Sequence, residues 1–511
     1  MLLGIDVGTS GTKALLCSST GRVLATATEE HPIARPRPGW SEQNPADWWA
    51  STVAAVGKAI RTSGRAGRKV RAIGLSGQMH GSVFLDKSAR VIRPALLWND
   101  QRTADQCRAI EQAAGGRAGL IRMVNNVALT GFTAPKILWL RDCEPRNFAR
   151  LATVVLPKDY IRLKLTGELV SDVGDASGTL LLNVRTRRWH TGLISKLKLD
   201  RSLFPPLVES SEVTGRLRPE AAAELGLAAG VIVVGGTGDQ PAGAVGNGIV
   251  SSGIVSATLG TSGVIFAHSD RVVPNRQGNL QSFCHAVSGA WCVFGCMLSA
   301  GGALAWLRDT LWPDDVAAIR GRGGDPGQLY PAMIEQAAAV GPGSGGLIFL
   351  PYLTGERCPY PDPNARGAFV GLTARHHRGH LVRAVLEGVT MGLRDQVELF
   401  RAGGVAVRLV RAGGGGARSA FWRQMQADMF KAPVATINTS EGAAYGAALL
   451  AGVGAGIWLT VPQACQAAIR QRDLLRPNRR TAKVYDELYA QFRDLYRQLG
   501  PANEALTRMD R

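Results

Sequence analysis

A Gly-Thr-Ser-Gly segment occurs twice in this chain of 511 residues, and each copy directly follows a short apolar run that predicts a β-strand. The copies lie within DVGTSGTK (residues 6–13) and LGTSG (residues 259–263). Glycine lets backbone N–H groups approach phosphate oxygens, and the hydroxyl groups add further donors. A single turn of this kind also occurs in ordinary hairpins. Two at equivalent positions predict two similarly built domains, each with a phosphate-binding loop.

The length of the chain agrees with two domains, because a single hydrophobic core stops growing at about 250 to 300 residues. Glycine and serine cluster at residues 248–253, where we place the boundary. We predict an N-terminal domain over residues 1–248, a C-terminal domain over residues 249–455 and a C-terminal helical extension over residues 456–511.

Short apolar runs that end in glycine-rich turns recur along the chain and predict strands. They lie at residues 2–8, 72–77, 153–156, 231–236, 254–260, 347–350 and 408–416. Apolar residues at helical spacing fill residues 381–393 and 421–429, so the alternation predicts an α/β fold with ligand loops at the carboxyl ends of the strands. The uncharged stretch at residues 442–459 is rich in glycine and alanine, which favours a buried helix and turn over a membrane span.

The formal net charge of +19 would suit a polyanionic partner such as a nucleic acid. The basic residues are scattered, however, and no nucleic-acid-binding module is recognisable. We therefore predict no nucleic-acid and no membrane partner, and we attribute to the charge at most a role in gathering phosphorylated ligands. A nucleic-acid binder stays open as an alternative, with salt-sensitive association as its signature.

The eight cysteines include no C-x-x-C pair and no histidines at metal-ligand spacing. This pattern indicates a reducing compartment. The chain starts directly with a strand-like run that contains Asp6, instead of the basic and apolar regions of a signal peptide. We therefore predict a cytoplasmic protein, and we leave the oligomeric state open, with a homodimer as the assembly considered.

Two acidic residues lie at positions where a phosphoryl-transfer site could use a metal ligand and a proton acceptor. Asp6 lies beside the first loop and suits Mg²⁺, directly or through water. Asp239 follows an apolar strand and the flexible segment GGTG (residues 235–238), where a carboxylate could accept the proton of an attacking hydroxyl. The alternative for Asp239 is a cap on the next helix, since Pro241 fits a first-turn position.

Three further segments have the composition of a binding site. The four glycines at residues 413–416 form a turn that could lie against a flat ring such as adenine, or that could simply permit close packing of a helix on a strand. The segments QMHG (residues 78–81) and WND (residues 98–100) place polar donors and an aromatic ring at the ends of predicted elements. Such groups are typical of a wall that binds a polyol.

These segments follow one another in the order seen in one family, and nearly the whole chain up to about residue 460 resembles it. The segments are DVGTSGTK (6–13), WSEQ (40–43), QMHG (78–81), LWND (97–100), GFTAPK (131–136), LPKDY (156–160), GD (238–239), LGTSG (259–263), SFCHA (282–286), LPYLTGER (350–357) and GGGARS (414–419). The chain resembles the FGGY carbohydrate kinases.

The resemblance implies an α/β fold of two ribonuclease-H-like domains of the actin-like ATPase type, which face an interdomain cleft. It implies an enzyme with ATP and Mg²⁺ as cofactors that phosphorylates the terminal hydroxyl of D-xylulose to give D-xylulose 5-phosphate. Asp239 is the implied general base, and Met79, His80, Asp239 and Gln240 are the implied sugar-binding residues. The implied nucleotide-binding residues are Thr9, Lys13, Gly260, Thr261, Gly414 and Gly415, and the implied metal ligands are Asp6 and Asp239. Gln240 departs from the Asn that often follows the acid in the family.

Two other functions remain open at this point. A kinase for ribulose, fuculose, gluconate or glycerol would have the same nucleotide-binding half, although QMHG (residues 78–81) favours xylulose, since glycerol kinases usually carry Arg-Glu at that place. A nucleotide-gated actin-like or chaperone-type ATPase would share the fold, because fold alone does not fix function. The polar wall and the lack of a recognisable peptide-binding domain disfavour that second class.

Overall fold

The computed structural model describes residues 1–64 and 67–509. Spatial contacts divide these residues into two compact units. Unit 1 comprises residues 1–251, 268–292 and 441–470, and unit 2 comprises residues 252–267, 293–440 and 471–511. The domain bounds predicted from the sequence, at residues 248 and 455, stay a prediction, and the last two residues of the predicted extension lie outside the described part of the chain.

Up to residue 251 the strands are β1 (Leu2–Val7), β2 (Gly11–Cys17), β3 (Val23–Glu30), β4 (Glu42–Gln43), β5 (Ala72–Gly77), β6 (Val83–Leu85), β7 (Ala95–Leu96), β8 (Thr153–Val155), β9 (Ser171–Asp172), β10 (Leu182–Asn183), β11 (Arg188–Trp189), β12 (Leu207–Val208), β13 (Val213–Arg216), β14 (Ile232–Val234) and β15 (Thr237–Gly238). The helices there are α1 (Pro45–Thr62), α2 (Ala104–Ala113), α3 (Arg117–Val124), α4 (Thr133–Cys143), α5 (Pro145–Phe148), α6 (Pro157–Thr166), α7 (Val173–Ala176), α8 (Thr191–Lys196), α9 (Pro219–Leu225) and α10 (Asp239–Gly246).

From residue 252 onwards the strands are β16 (Gly253–Leu259), β17 (Gly263–Ser269), β18 (Gln281–Cys284), β19 (Trp291–Met297), β20 (Ile348–Leu350), β21 (Ala368–Val370), β22 (Val407–Gly414), β23 (Val434–Ile437) and β24 (Gln471–Leu475). The helices there are α11 (Gly301–Leu311), α12 (Pro313–Gly321), α13 (Tyr330–Ala338), α14 (Arg378–Ala402), α15 (Ala420–Phe430), α16 (Gly442–Gly454), α17 (Val461–Ala468) and α18 (Arg479–Met509).

Unit 1 is built on a mixed sheet with the strand order β13-β14-β5-β1-β2-β3, and β15 pairs with the end of β5. Strands β14, β5, β1 and β15 run parallel, whereas β2 and β3 turn back as antiparallel neighbours. One face of the sheet packs against α1, α6 and α9 through a cluster that includes Leu3, Ile5 and Trp48. This arrangement brings the carboxyl ends of three parallel strands to one edge.

The other face of this sheet packs against α16 at unusually short range. A Cβ atom at Gly4 would lie 1.9 Å from the carbonyl oxygen of Ala444, and one at Gly74 would lie 1.8 Å from that of Ala447. Only glycine permits such an approach between a strand and a helix. Gly4 and Gly74 therefore let α16 lie directly on β1 and β5, the strands that precede two of the predicted site segments.

Unit 2 has the same kind of sheet, in which β19, β17, β16, β22, β23 and β24 are consecutive neighbours. Strands β16, β22 and β23 run parallel, and the hairpin partner β17 runs antiparallel to β16. Helix α14 is buried along most of its length and packs against α11, α13, α15 and β20. Each unit thus repeats one pattern, a strand, a hairpin return and a parallel neighbour.

The predicted secondary structure is confirmed at its strongest signals. The strand predicted at residues 72–77 is β5, and the helical patterns at residues 381–393 and 421–429 lie inside α14 and α15. The uncharged stretch at residues 442–459 contains the buried helix α16. Within residues 1–64 and 67–509, no helix is both long and apolar enough to cross a membrane, and no disulfide joins the eight cysteines.

Candidate active site

Three segments meet at one edge of the unit 1 sheet. Asp6 in β1 and Thr237 in β15 both pair with Ser76 of β5, one from each side. Residues 78–80 follow the end of β5, and Asp239 follows the end of β15. Since parallel strands present their carboxyl ends at the same edge, the predicted acid, base and sugar-contacting residues lie together there.

Asp239 is the first residue of α10, and Gly238 occupies the capping position. The carboxyl group is therefore not the N-cap that the sequence left open as an alternative. Burial among protein atoms, followed by the negative charge of Asp6, raises the pKa of Asp239 to about 7, against the lowering effect of hydrogen bonds from Gln240. A carboxyl with such a pKa can accept a proton near neutral pH and release it again.

Asp6 has an oxygen atom, Oδ1, that is buried and has no hydrogen-bond partner within the described part of the chain. Burial raises the pKa of Asp6, and the nearby Ser76 hydroxyl and the charge of Lys13 oppose the rise. An unpartnered carboxylate oxygen beside a second carboxylate suits Mg²⁺, which proteins hold with one or two carboxylates plus the phosphates of a nucleotide. No group of three or more acidic, histidine or cysteine side chains in residues 1–64 and 67–509 forms an all-protein metal site.

Lys13 stands opposite Asp6 in the β1–β2 hairpin. Its ammonium group lies 2.5 Å from Glu441 Oε2, at the capping position of α16. Both side chains are partly exposed, so the pair is a surface ion pair and not a buried one. Lys13 is thus placed for an anion at this edge, with Glu441 as its partner in this structure.

Met79 and His80 form a tightly packed wall beside Asp239. A Cβ atom at Gly238 would lie 2.5 Å from Met79 Cγ, so glycine is needed just before the acid. His80 has a left-handed backbone with φ of 68°. Its ring Nδ1 donates a 2.9 Å hydrogen bond to the carbonyl of Gly178, and the ring lies 4.6 Å from the ring of Phe132.

Thr9 occupies the turn between β1 and β2, and its side chain is engaged on both sides. Its hydroxyl donates to Gln78 Oε1 at 3.2 Å and accepts from Trp98 Nε1 at 2.9 Å. Its backbone carbonyl accepts from Gln43 Nε2 at 2.7 Å. The first loop is therefore tied by side chains to residues of the predicted sugar wall.

Gly260 and Thr261 form the turn between β16 and β17 in unit 2 and are exposed. The backbone N–H of Gly301 donates to the carbonyl of Gly260 at 2.8 Å, and the N–H groups of Ala300 and Gly302 donate to the carbonyl of Thr261 at 2.9 and 3.0 Å. The second loop is therefore held from behind by the N-terminus of α11.

Gly414 is the last residue of the neighbouring strand β22 and pairs with Leu259 of β16, and Gly415 follows it. Gly414 has φ of 73°, and a Cβ atom there would lie 2.4 Å from the carbonyl oxygen of Leu259. Both conditions require glycine. The structure thus places Gly260, Thr261, Gly414 and Gly415 at one edge of the unit 2 sheet.

Sequence reasoning missed a buried charge cluster behind the turn that presents Asp239. Lys158 Nζ lies 2.5 Å from Asp159 Oδ1 and 2.8 Å from Asp172 Oδ1, and all three side chains are fully buried. Arg162 pairs with Asp159 and donates to the carbonyl of Gly235. The charged residues are visible in LPKDY (residues 156–160), but residue types alone do not distinguish a buried charge cluster from an exposed helix start.

Comparison with known proteins agrees with this geometry. Residues 1–246 match the family model "FGGY family of carbohydrate kinases, N-terminal domain", and residues 255–455 match the C-terminal domain of the same family. The chain is 40% identical to the xylulose kinase of Escherichia coli (strain K12) over 98% of this chain and 99% of that protein. It is 42% identical to the xylulose kinase of Klebsiella pneumoniae over 84% of both proteins.

A solved structure is similar over the same length. The xylulose kinase of Rhodospirillum rubrum superposes with a TM-score of 0.90, is 32% identical and is covered to 99%, with 98% of this chain matched. The chain belongs to the FGGY family of carbohydrate kinases. It is an enzyme that acts as a sugar kinase with ATP as phosphoryl donor, and its fold is the two-domain α/β fold of that family, as the resemblance implied.

Proposed function

We propose that this chain catalyses the ATP-dependent phosphorylation of D-xylulose at its terminal hydroxyl, which gives D-xylulose 5-phosphate. The observation that carries the chemistry is Asp239, a carboxyl with a pKa raised to about 7 at the edge where Asp6 and residues 78–80 also lie. The choice of sugar is supported by xylulose kinases that are similar over nearly the full length of the chain.

In the proposed reaction, the terminal oxygen of the sugar attacks the γ-phosphorus of ATP and ADP leaves. Asp239 accepts the hydroxyl proton as the new oxygen–phosphorus bond forms. Because phosphoryl transfer has a loose transition state, alignment and charge neutralisation supply most of the rate, and general-base help contributes about 10² to 10⁴-fold.

Asp6 and Asp239 would hold Mg²⁺. When bound, the ion would neutralise charge on the phosphate oxygens. We assign sugar contacts to Met79, His80 and Gln240, together with Asp239 itself.

Nucleotide contacts go to the two loops and the glycine turn. We assign phosphate contacts to Thr9, Lys13, Gly260 and Thr261. Gly414 and Gly415 lie near the adenine in this proposal, because their backbone is free of side chains on the approach side. We further propose the division into domains at residues 248 and 455, a cytoplasmic enzyme, and a homodimer as the assembly to examine.

A coupled assay for ADP release, run with ketopentoses, polyols and sugar acids, tests this proposal. We expect D-xylulose to give the highest kcat/KM, with ribulose, fuculose, gluconate and glycerol well below it. If another of these sugars is preferred, the substrate is wrong and the kinase chemistry stands. If no sugar raises ADP release above the rate in water alone, the kinase proposal fails.

A further inference from the structure

A continuous row of side-chain hydrogen bonds runs behind the first phosphate loop in unit 1. Trp98 Nε1 donates to Thr9 Oγ1 at 2.9 Å, and Thr9 Oγ1 donates to Gln78 Oε1 at 3.2 Å. Gln78 Nε2 donates to Gln43 Oε1 at 2.8 Å. Gln43 Nε2 returns to the loop and donates to the backbone carbonyl of Thr9 at 2.7 Å. The row joins the predicted sugar wall to the residue assigned to the phosphates.

The direction of each bond in this row is fixed by chemistry. An indole N–H can only donate, and Trp48 Nε1 donates to Gln43 Oε1 at 3.0 Å. That contact orients the Gln43 amide, so Gln78 must offer its NH₂ group to Gln43 and its oxygen to Thr9. At the far end, Trp98 also can only donate, so the Thr9 hydroxyl has to accept from it and give its single proton to Gln78.

The two ends of the row differ in burial. Gln43 and Gln78 are 2% and 1% exposed, whereas the Trp98 side chain is 39% exposed. The amides are therefore fixed in the core, and the indole is open to a ligand. The Thr9 side chain that covers the Gln78 oxygen is only partly buried, so a hydroxyl of a ligand can take its place. Without a replacement donor the Gln78 oxygen would be unpaired, which is costly.

A hydroxyl that contacts a phosphate must donate, because phosphate oxygens only accept. The Thr9 hydroxyl already donates its one hydrogen bond to Gln78. Thr9 can therefore donate to a nucleotide only if it leaves Gln78, and Gln78 then needs a new donor. The hydroxyl groups of a sugar are donors of the right kind at this wall.

We propose that Thr9 and Gln78 exchange hydrogen-bond partners when the sugar binds, so that a sugar hydroxyl donates to Gln78 and the Thr9 hydroxyl is released to the nucleotide phosphate. This inference rests on the proposed function and gives Thr9 a direct contact with the nucleotide that couples the two substrates. The coupling is reciprocal, so the sugar tightens the nucleotide by the factor with which the nucleotide tightens the sugar. It disfavours transfer to water, since the phosphate contact is incomplete without sugar.

The test measures the Kd of a non-hydrolysable ATP analogue with Mg²⁺, without and with saturating D-xylulose, by titration calorimetry. For the unchanged protein we expect the sugar to tighten the analogue by between about 5-fold and 150-fold. Thr9→Val keeps the shape of the side chain and removes the hydroxyl, so its factor should fall to about one, through loss of affinity only in the presence of sugar. Thr9→Ser should restore the factor.

The outcomes distinguish this coupling from a plain phosphate contact. If Thr9→Val weakens the analogue equally with and without sugar, the hydroxyl binds phosphate independently of the sugar and the inference is overturned. A factor of one in the unchanged protein overturns it as well. Thr12→Val is the matched control, because the Thr12 hydroxyl belongs to the same hairpin but bonds to Ser51 Oγ at 2.9 Å, away from Gln78; its factor should equal that of the unchanged protein.

A second variant is expected to act with the opposite sign. Gln78→Met removes the acceptor that holds the Thr9 proton, while Gln43 Oε1 keeps its bond from Trp48. The analogue should bind about fivefold more tightly without sugar, and sugar-free ATP hydrolysis should rise. Unchanged or weaker sugar-free binding would contradict the exchange.

The activity of the unchanged protein separates this inference from the proposed function. If D-xylulose is phosphorylated and Thr9→Val leaves the coupling factor intact, only the exchange of partners is wrong. If no sugar is phosphorylated, the proposed function fails first and the exchange falls with it.

Discussion

The two proposed phosphate loops share a sequence but are held in different ways. In unit 1 the loop is fixed by side chains, since Gln43 donates a hydrogen bond to the Thr9 carbonyl and Gln78 accepts one from the Thr9 hydroxyl. In unit 2 the loop is fixed by backbone, since N–H groups of residues 300–302 donate to the carbonyls of Gly260 and Thr261. Side-chain hydrogen bonds can change partners when a ligand arrives, whereas the backbone at a helix start cannot.

The same contrast extends to the acidic residues of each unit. Asp239 stands at the edge of the unit 1 sheet with its carboxyl committed to no cap. In unit 2, Glu356 is 5% exposed and accepts hydrogen bonds from the N–H groups of Leu298 and Arg357 at 3.0 and 2.6 Å. Leu298 lies just before residues 300–302, which support the second loop. We infer that the site groups of unit 1 can change their hydrogen-bond partners, whereas unit 2 holds its loop as a fixed cradle for the nucleotide.

The largest expected effect comes from Asp239→Asn. The amide cannot accept the hydroxyl proton, so kcat should fall by about 10² to 10⁴-fold. Binding of the ATP analogue and the free energy of unfolding should change little, because the side chain keeps its size. Asp105→Asn is the control, since its side chain is 80% exposed in a helix outside the site. Turnover within a few-fold of the unchanged protein would remove Asp239 as the base.

Part of the fold could be predicted from the sequence because some segments have one dominant cause. Strand β5 is buried on both faces and therefore has a continuous apolar run, and helix α16 is marked by glycine and alanine where it touches β1. Strand β3 (Val23–Glu30) was missed, because it has an exposed face and alternates apolar with polar residues in a pattern too short to stand out.

The candidate site was partly readable for a similar reason. Asp6 lies near the carboxyl end of β1 and Asp239 follows β15, so their common edge follows from α/β topology. The hydrogen bond from Gln43 to the loop could not be predicted, because it depends on a tertiary contact in which Trp48 orients the Gln43 amide. The Lys158 cluster was missed because burial, and not residue type, distinguishes it from an exposed helix start.

Glu356 offers a way to sharpen the contrast through pH. Burial raises the pKa of Glu356 to about 7, against the lowering effect of backbone hydrogen bonds, whereas an unfolded glutamate has its ordinary pKa near 4.5. The folded protein thus holds a proton that the unfolded chain releases, and this contribution to stability is full below pH 4.5 and is lost as the pH rises through 7. The expected loss is about 3 kcal/mol.

Glu356→Gln should remove that loss. The difference in the free energy of unfolding between variant and unchanged protein, measured in denaturant from pH 5 to 8, should therefore rise with pH. Glu335→Gln, on an exposed part of α13, should give a constant difference. A difference that stays flat for Glu356→Gln would show that this carboxyl is ionised in the folded protein throughout.

Gly301→Ala tests whether the second loop is a fixed cradle. A Cβ atom there would lie 2.5 Å from the carbonyl oxygen of Gly260, and both partners are backbone. The loop must shift, at a cost of about 1 to 3 kcal/mol, so we expect the ATP analogue to bind about tenfold more weakly while sugar binding is retained. Gly321→Ala is the control, because a Cβ atom there meets nothing within 4 Å. Unchanged nucleotide affinity would mean that the second loop adapts after all.

The smallest effect is expected at the ion pair of Lys13 with Glu441, where the first loop should again prove adjustable. If Glu441 competes with phosphate for Lys13, then Glu441→Gln should tighten sugar-free binding of the ATP analogue by about threefold, in keeping with a partly exposed pair worth under about 1 kcal/mol. High salt should abolish the gain by screening. Glu29→Gln makes the same charge change at the pair with Lys58, 2.9 Å apart, and should leave the affinity unchanged. Weaker nucleotide binding in Glu441→Gln would instead mean that Glu441 holds Lys13 in place for the phosphate, so that this part of the first loop is as fixed as the second.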